Sequence, residues 1–106
     1  MKFLVIGHQV TGASEHRDQI TYLQMTKEWI DSGKKNKKID CAFSLVTGGG
    51  IFVMNADSHE DLMGDLTSFP LRPFSDFEIY PLADFDKATD IVINEIRDGM
   101  AKHKLK

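Results

Sequence analysis

Strand-like and helix-like segments alternate along this chain, and their order constrains the fold more than any other feature. Residues 2–9 (KFLVIGHQ) are rich in Phe, Leu, Val and Ile and read as a buried strand. Residues 15–32 follow with helical spacing: Tyr22, Met25 and Trp29 form one stripe, and Ile20, Leu23 and Ile30 widen it. Ser14 is placed to cap that helix, with Glu15 at its positive end. Gly33 is placed to stop it, with Lys34 and Lys35 beyond. Residues 39–46 and 51–55 are two further strands. The TGGG between them is a hairpin turn, because a phosphate loop would need a helix opening with Lys-Ser/Thr and here a strand follows. Ser58 and Asp61 approximate a capping box at the start of a second helix. Pro70 and Pro73 end that helix and stiffen the turn into a fourth strand, 74–82. Residues 84–106 form a third helix with Phe85, Ala88, Val92, Ile96 and Met100 on one stripe.

The order β-α-β-β-α-β-α implies a single α+β domain over 1–106. It is a ferredoxin-like βαββαβ unit followed by an extra C-terminal helix at 84–106. Such a unit has an antiparallel sheet with two helices on one face and nothing on the other. A bare apolar face on a chain of 106 residues is normally covered by a partner. Two such sheets face to face make a dimeric α/β barrel, so a homo-oligomer is expected. The net charge of −3, without a long basic stripe, speaks against nucleic acid. The basic loop KKNKK is read as a solvated connection rather than an anion site. The lone Cys41 permits no internal disulfide and reads as a core thiol. The apolar part of the N-terminal run, Phe3–Ile6, is too short for a signal peptide, and no run is long enough to span a bilayer. A soluble, cytoplasmic chain with no membrane partner is expected.

Alternation along the strands sorts their side chains into two sets. Phe3, Val5, Gly7, Cys41, Phe43, Leu45, Ile51, Val53, Phe77 and Ile79 suit the helix-packed face. Leu4, Ile6, His8, Asp40, Ala42, Ser44, Phe52, Met54, Glu78 and Tyr80 form a mixed set, the composition of a ligand pocket or of a partly polar interface. No two histidines have metal-binding spacing, so no metal is expected; His16, His59 and His103 read as solvent-facing. His8, on the mixed set, is either a proton-transfer group or a hydrogen-bonded interface histidine. Glu78 is a base if burial raises its pKa, or an edge carboxylate with a cationic partner. Tyr80 can donate to a developing enolate oxygen, or serve as an amphipathic interface residue. Arg72, between two prolines, can hold a carboxylate or pair with Asp76.

The stretch GGGIFVMNADSHEDLMGDLTSFPLRPFSDFEIYPL resembles the muconolactone Δ-isomerase family. The shared pattern is a strand, then Asp57-Ser58 before a helix with Leu62 and Leu66. It continues through Pro70-Leu71, Pro73, the aromatic Phe74, and Asp76-Phe77-Glu78-Ile79. The likeness is strong over 50–82 and fainter over 1–49, and the helix at 84–106 has no counterpart in it. The resemblance implies a homo-oligomeric barrel, no cofactor, and a proton removed from a small lactone and returned elsewhere. His8, Glu78 and Tyr80 are the expected catalytic groups, and Leu4, Ile6, Ser44, Phe52, Met54 and Arg72 the expected substrate contacts. Leu4 and Ile6 stand where the family carries ionisable residues, so a greasier substrate than muconolactone is implied: a lactone, polyketide or aromatic carbonyl compound. Two other readings stay open. One is a cofactor-independent monooxygenase on the same kind of barrel; the other is a non-enzymatic ligand-binding or structural oligomer.

Overall fold

A computed structural model describes residues 1–9 and 16–104. Its elements are β1 (Lys2–Gln9), α1 (His16–Lys35), β2 (Ile39–Ser44), β3 (Gly50–Asn55), α2 (His59–Thr67), a 3-10 turn at Arg72–Phe74, β4 (Ser75–Leu82) and α3 (Phe85–Lys104). Ser14 and Glu15, expected to open α1, lie outside the described residues, as do the side chains of His16, Arg17 and His103. Among the described residues, no helix is long and apolar enough to cross a membrane.

The four strands form one antiparallel sheet in the order β2-β3-β1-β4. One face carries the core: Phe3, Val5, Ile39, Phe52 and Met54 pack beneath Leu62 and Leu66 of α2, with Trp29 and Ile30 of α1 and Phe69 against them. The Trp29 ring meets Phe52 and Phe69 edge-on at 5.7 and 5.1 Å, and its Nε1 donates to Ser68 Oγ at 2.9 Å. Among the described residues, nothing covers the other face: Phe43 is 65% exposed and Tyr80 is exposed, with Leu4, Ile6, Ile51 and Val53 half-buried between them.

Register corrects the sorting of side chains by alternation. Val5 stands opposite both Phe52 and Ile79, and Leu4 opposite Val53 and Tyr80. Directly opposed residues share a face. Phe52, Met54, Ala42 and Ser44 therefore lie on the helix face, while Ile51, Val53, Cys41 and Phe43 lie on the open one. The period within each strand holds. The relative phase of β2 and β3 against β1 is one residue off, because both parities of "IFVM" are apolar and nothing in composition chooses between them.

The local signals hold at most boundaries. Ser58 Oγ accepts from the Asp61 backbone N–H at 3.1 Å and caps α2. Leu45 N–H donates to the Gly49 carbonyl at 2.9 Å, closing the β2–β3 hairpin through Gly48 and Gly49, both at positive φ. A Cβ on Gly49 would lie 2.2 Å from the Gly7 carbonyl oxygen, so two reasons demand glycine there. Gly33 is a correction. It sits inside α1, and the helix ends two residues later with Lys37 at φ 60° and Lys38 N–H bonded to the Gly33 carbonyl at 2.9 Å. That is a Schellman-type ending with lysine in the left-handed position.

Candidate functional site

On the open face, neighbouring strands bring three expected catalytic groups together. Glu78 stands opposite Ile6, and Tyr80 opposite Leu4, so both carboxylate and phenol project beside the aliphatic pair of β1. His8 is the next residue of β1 on the same face. Its Nε2 lies 3.5 Å from Glu78 Oε1. Tyr80 Oη donates to Glu78 Oε2 at 3.2 Å. One carboxylate thus links an imidazole on one side to a phenol on the other. The hydrogen bond to Glu78, and then its charge, hold the Tyr80 pKa above the usual tyrosine value, so the hydroxyl remains a donor. In the single chain about half of each of the His8 and Glu78 side chains is open to solvent.

Of the expected substrate contacts, only Leu4 and Ile6 adjoin this cluster. Phe52 and Met54 are buried on the opposite face, in the core. Arg72 also lies on the helix side, where its Nη1 donates to Thr67 Oγ1 at 2.8 Å. It pairs neither with a substrate-facing group of the cluster nor with Asp76, which stands opposite His8.

Ser44 belongs to a second feature, which alternation alone did not reveal. Ser44, Gly50 and Gly7 stand side by side across β2, β3 and β1 on the helix face. Two glycines and a serine leave that row almost without side chains beneath α1. The result is a cavity of about 490 Å³, roofed by Tyr22, Leu23 and Thr26 and closed at one end by Phe69 and Phe74. The Tyr22 and Phe74 rings meet edge-on at 5.2 Å. Gln9, Lys27, Asp31 and Lys34 also line it. Gly7, inside an otherwise apolar strand, was the signal available in the sequence; Gly50 read there as the end of the hairpin turn. The turn carrying Pro70 and Pro73 delivers Leu71 and Phe74 to this wall, which gives its stiffness a purpose.

A third cluster closes the other end of the open face. Lys2 Nζ binds Asp40 and donates to Asn55 Oδ1, and Asn55 Nδ2 donates to Asp40 Oδ1 at 2.7 Å. These bonds, that from Lys2 first, hold the Asp40 carboxyl below the usual carboxylate range. Among the described residues, no group of three or more His, Cys, Asp and Glu is placed to hold a metal ion.

A four-stranded antiparallel sheet with two helices on one face and an open opposite face defines the structural class of muconolactone isomerase. The crystal structure of that enzyme aligns with a TM-score of 0.71 at 19% identity, covering 79% of this chain and 90% of the other. The 5-chloro-2-hydroxyhydroquinone dehydrochlorinase TftG of Burkholderia phenoliruptrix AC1100, solved with 2,5-dihydroxybenzoquinone, aligns with a TM-score of 0.68 at 13% identity, covering 82% and 98%. The chain itself belongs to the family described as a domain of unknown function, DUF3303, whose pattern matches residues 1–95. No curated protein matches its sequence.

Proposed function

We propose that this protein is a cofactor-free proton-transfer enzyme, an isomerase or cyclase, acting on a small apolar carbonyl compound. Its site is the His8–Glu78–Tyr80 cluster, enclosed when the open sheet face meets a second copy. The convergence of imidazole, carboxylate and phenol beside Leu4 and Ile6 carries this reading. Neutral His8 takes a proton from the carbon next to the carbonyl, and the electron pair moves into an enolate. The imidazolium is stabilised by Glu78, 3.5 Å away. Tyr80, turned from Glu78, donates to the enolate oxygen. His8 then returns the proton to a different carbon of the conjugated system. Atoms and charge balance without any co-reactant. The two structural neighbours support the substrate class: their names specify a lactone and a hydroxylated ring compound.

Proton exchange can be followed without knowing the natural substrate. Unsaturated lactones and cyclic enones are incubated with the protein in D2O, and deuterium uptake is read by NMR. Wild type is expected to accelerate uptake, with His8→Ala and Glu78→Gln each losing about 10²-fold or more. Uptake unchanged in both variants would sink the assignment.

The cavity beneath α1 favours a second reading, a ligand-binding protein without chemistry. Its volume and aromatic lining suit a small flat molecule, and the His8–Glu78–Tyr80 cluster lies on the other side of the sheet. In that case the same compounds would shift the Tyr22, Phe69 and Phe74 resonances, Gly50→Val would abolish the shifts, and no exchange would follow. Oxygen consumption in the same assays would instead support a monooxygenase.

A further inference from the structure

The cavity beneath α1 could be partly filled without strain, and the sequence leaves it open. Its floor is the row Ser44–Gly50–Gly7. Gly7 lies inside β1 and outside the positive-φ region that Gly48 and Gly49 occupy, so its backbone does not call for glycine. A Cβ there would meet Phe77 Cε1 at 3.5 Å, Phe77 Cδ1 at 3.7 Å and the Gly50 carbonyl oxygen at 3.8 Å, all ordinary contacts. Glycine inside a strand weakens it. A side chain at position 7 would steady the strand and occupy empty space. What the bare position preserves is a wide, flat floor.

Above that floor stand rings and short side chains. Tyr22 and Phe74 meet edge-on at 5.2 Å, and Phe69 closes the same end. Thr26 donates its hydroxyl proton to the Tyr22 carbonyl at 2.8 Å, which leaves it none for a ligand. A flat floor facing aromatic rings suits a planar apolar body. At about 490 Å³ the space takes a body of two or three fused rings.

The charges of the lining lie on one face of α1. Lys27, Asp31 and Lys34 stand at i, i+4 and i+7, and all three are exposed, so they form a rim. Lys27 and Lys34 are about 10 Å apart along the helix axis, with Asp31 between them. Asp31 can neutralise one ammonium, and one positive charge is left over. Lys34 also lies in the last turn, beside the negative end of α1, whereas Lys27 is two turns earlier.

We propose that this cavity binds a planar aromatic monocarboxylate, with its rings between the Gly7–Gly50 floor and the Tyr22–Phe74 wall and its carboxylate on the lysine rim. The proposal rests on the ligand-binding reading above and gives that ligand a chemical class. One surplus positive charge matches a monoanion; a dianion would meet Asp31 with a negative charge uncompensated.

The test titrates the full chain with 2-naphthoate and with 2-naphthamide, which has the same shape without the charge, and follows amide chemical shifts at pH 7. Naphthoate is expected to bind about five-fold more tightly, the range of an exposed charge pair. Lys27→Ala combined with Lys34→Ala should erase that difference, and Asp31→Asn should widen it. Gly7→Leu fills the floor and should abolish binding of both probes while far-ultraviolet circular dichroism stays unchanged. Gly7→Ala, for which there is room, should weaken both several-fold in a chain that folds as wild type does. Equal affinity for the two probes, with both lost on filling position 7, overturns the anion assignment and leaves the cavity a site for neutral compounds. Binding that survives both Gly7 variants overturns the placement of the rings. No shift from either probe at millimolar concentration overturns the proposal together with the ligand-binding reading.

Discussion

At the scale of single residues, Lys37 is the clearest local conflict. It holds φ 60° at the end of α1, a conformation that costs most L-residues about 1 kcal/mol or more, while its carbonyl still accepts from Asn55 Nδ2 at 3.1 Å. Lys37→Gly removes the Cβ penalty and keeps the carbonyl. It should stabilise the protein by about 0.5–1 kcal/mol, less what glycine adds to unfolded-state entropy, measured as a higher urea midpoint at unchanged m-value. Asp40 gives a pH-dependent expectation. Its folded pKa is lowered, mainly by the hydrogen bond from Lys2 and then by that from Asn55. A lowered carboxylate pKa contributes stability that is present above the unfolded value, near 3.8. The contribution disappears as pH falls through the folded value. Wild type should therefore exceed Asp40→Asn in stability at pH 7, and the gap should close below the folded pKa of Asp40. Urea midpoints at several pH values measure it, and a gap constant with pH would show that the ion pair contributes nothing. The residue-level chemistry of the open face was legible for a simple reason. His8, Glu78 and Tyr80 belong to adjacent strands whose phase was read correctly, so alternation placed them on one side.

At the scale of elements, packing overrode a strong local signal. Gly33 followed by two lysines reads as a helix stop, yet α1 runs through it to Lys35. The cause lies in β2: a Cβ on Gly33 would come within 2.5 Å of Ile39 Cδ1 and 2.8 Å of Cγ1, and Ile39 is buried. The glycine admits Ile39 to the core, which no local pattern reveals. Gly33→Ala should then destabilise by about 1–2 kcal/mol, the overpacking exceeding the ~1 kcal/mol that alanine gains in a helix. Ile39→Val removes the Cδ1 methyl and alone should cost about 1 kcal/mol. Together the two should cost clearly less than their sum, because valine makes room for the new methyl. Additive behaviour in the double-mutant cycle would refute the contact. The same blindness to distant neighbours explains Ser44, Phe52 and Met54. Each strand showed its period, but the phase of β2 and β3 against β1 is set by pairing across the sheet, and Gly7 beside Gly50 became a cavity floor only once that register was known.

At the scale of the whole molecule, the question is what covers the open face. Its strand order was legible because the alternation of elements admits few topologies. Its covering was legible only as a deficit, a sheet with apolar side chains on both faces and helices for one. Rows of the face read Tyr80–Leu4–Val53–Cys41 and Glu78–Ile6–Ile51–Phe43 across the strands, an apolar band with the acid and phenol at one side. Sheet-on-sheet packing would bury this band and remove water from the His8–Glu78 contact, strengthening the attraction of Glu78 for the imidazolium formed during proton transfer. Phe43, 65% exposed in the single chain, ends the band on the edge strand β2, at the opposite edge of the sheet from Glu78 on β4. Phe43→Glu puts a charge in the proposed contact without touching the acid-base groups. The expected outcome in light scattering is a lower mass at micromolar concentration, with far-ultraviolet circular dichroism unchanged. The exchange activity proposed for His8 should fall with the mass and return as protein concentration is raised, since a charge at the rim weakens association without altering the assembled site. A mass unchanged by Phe43→Glu would mean that the open face stays open, and would leave a half-exposed imidazole–carboxylate contact where a catalytic site was proposed.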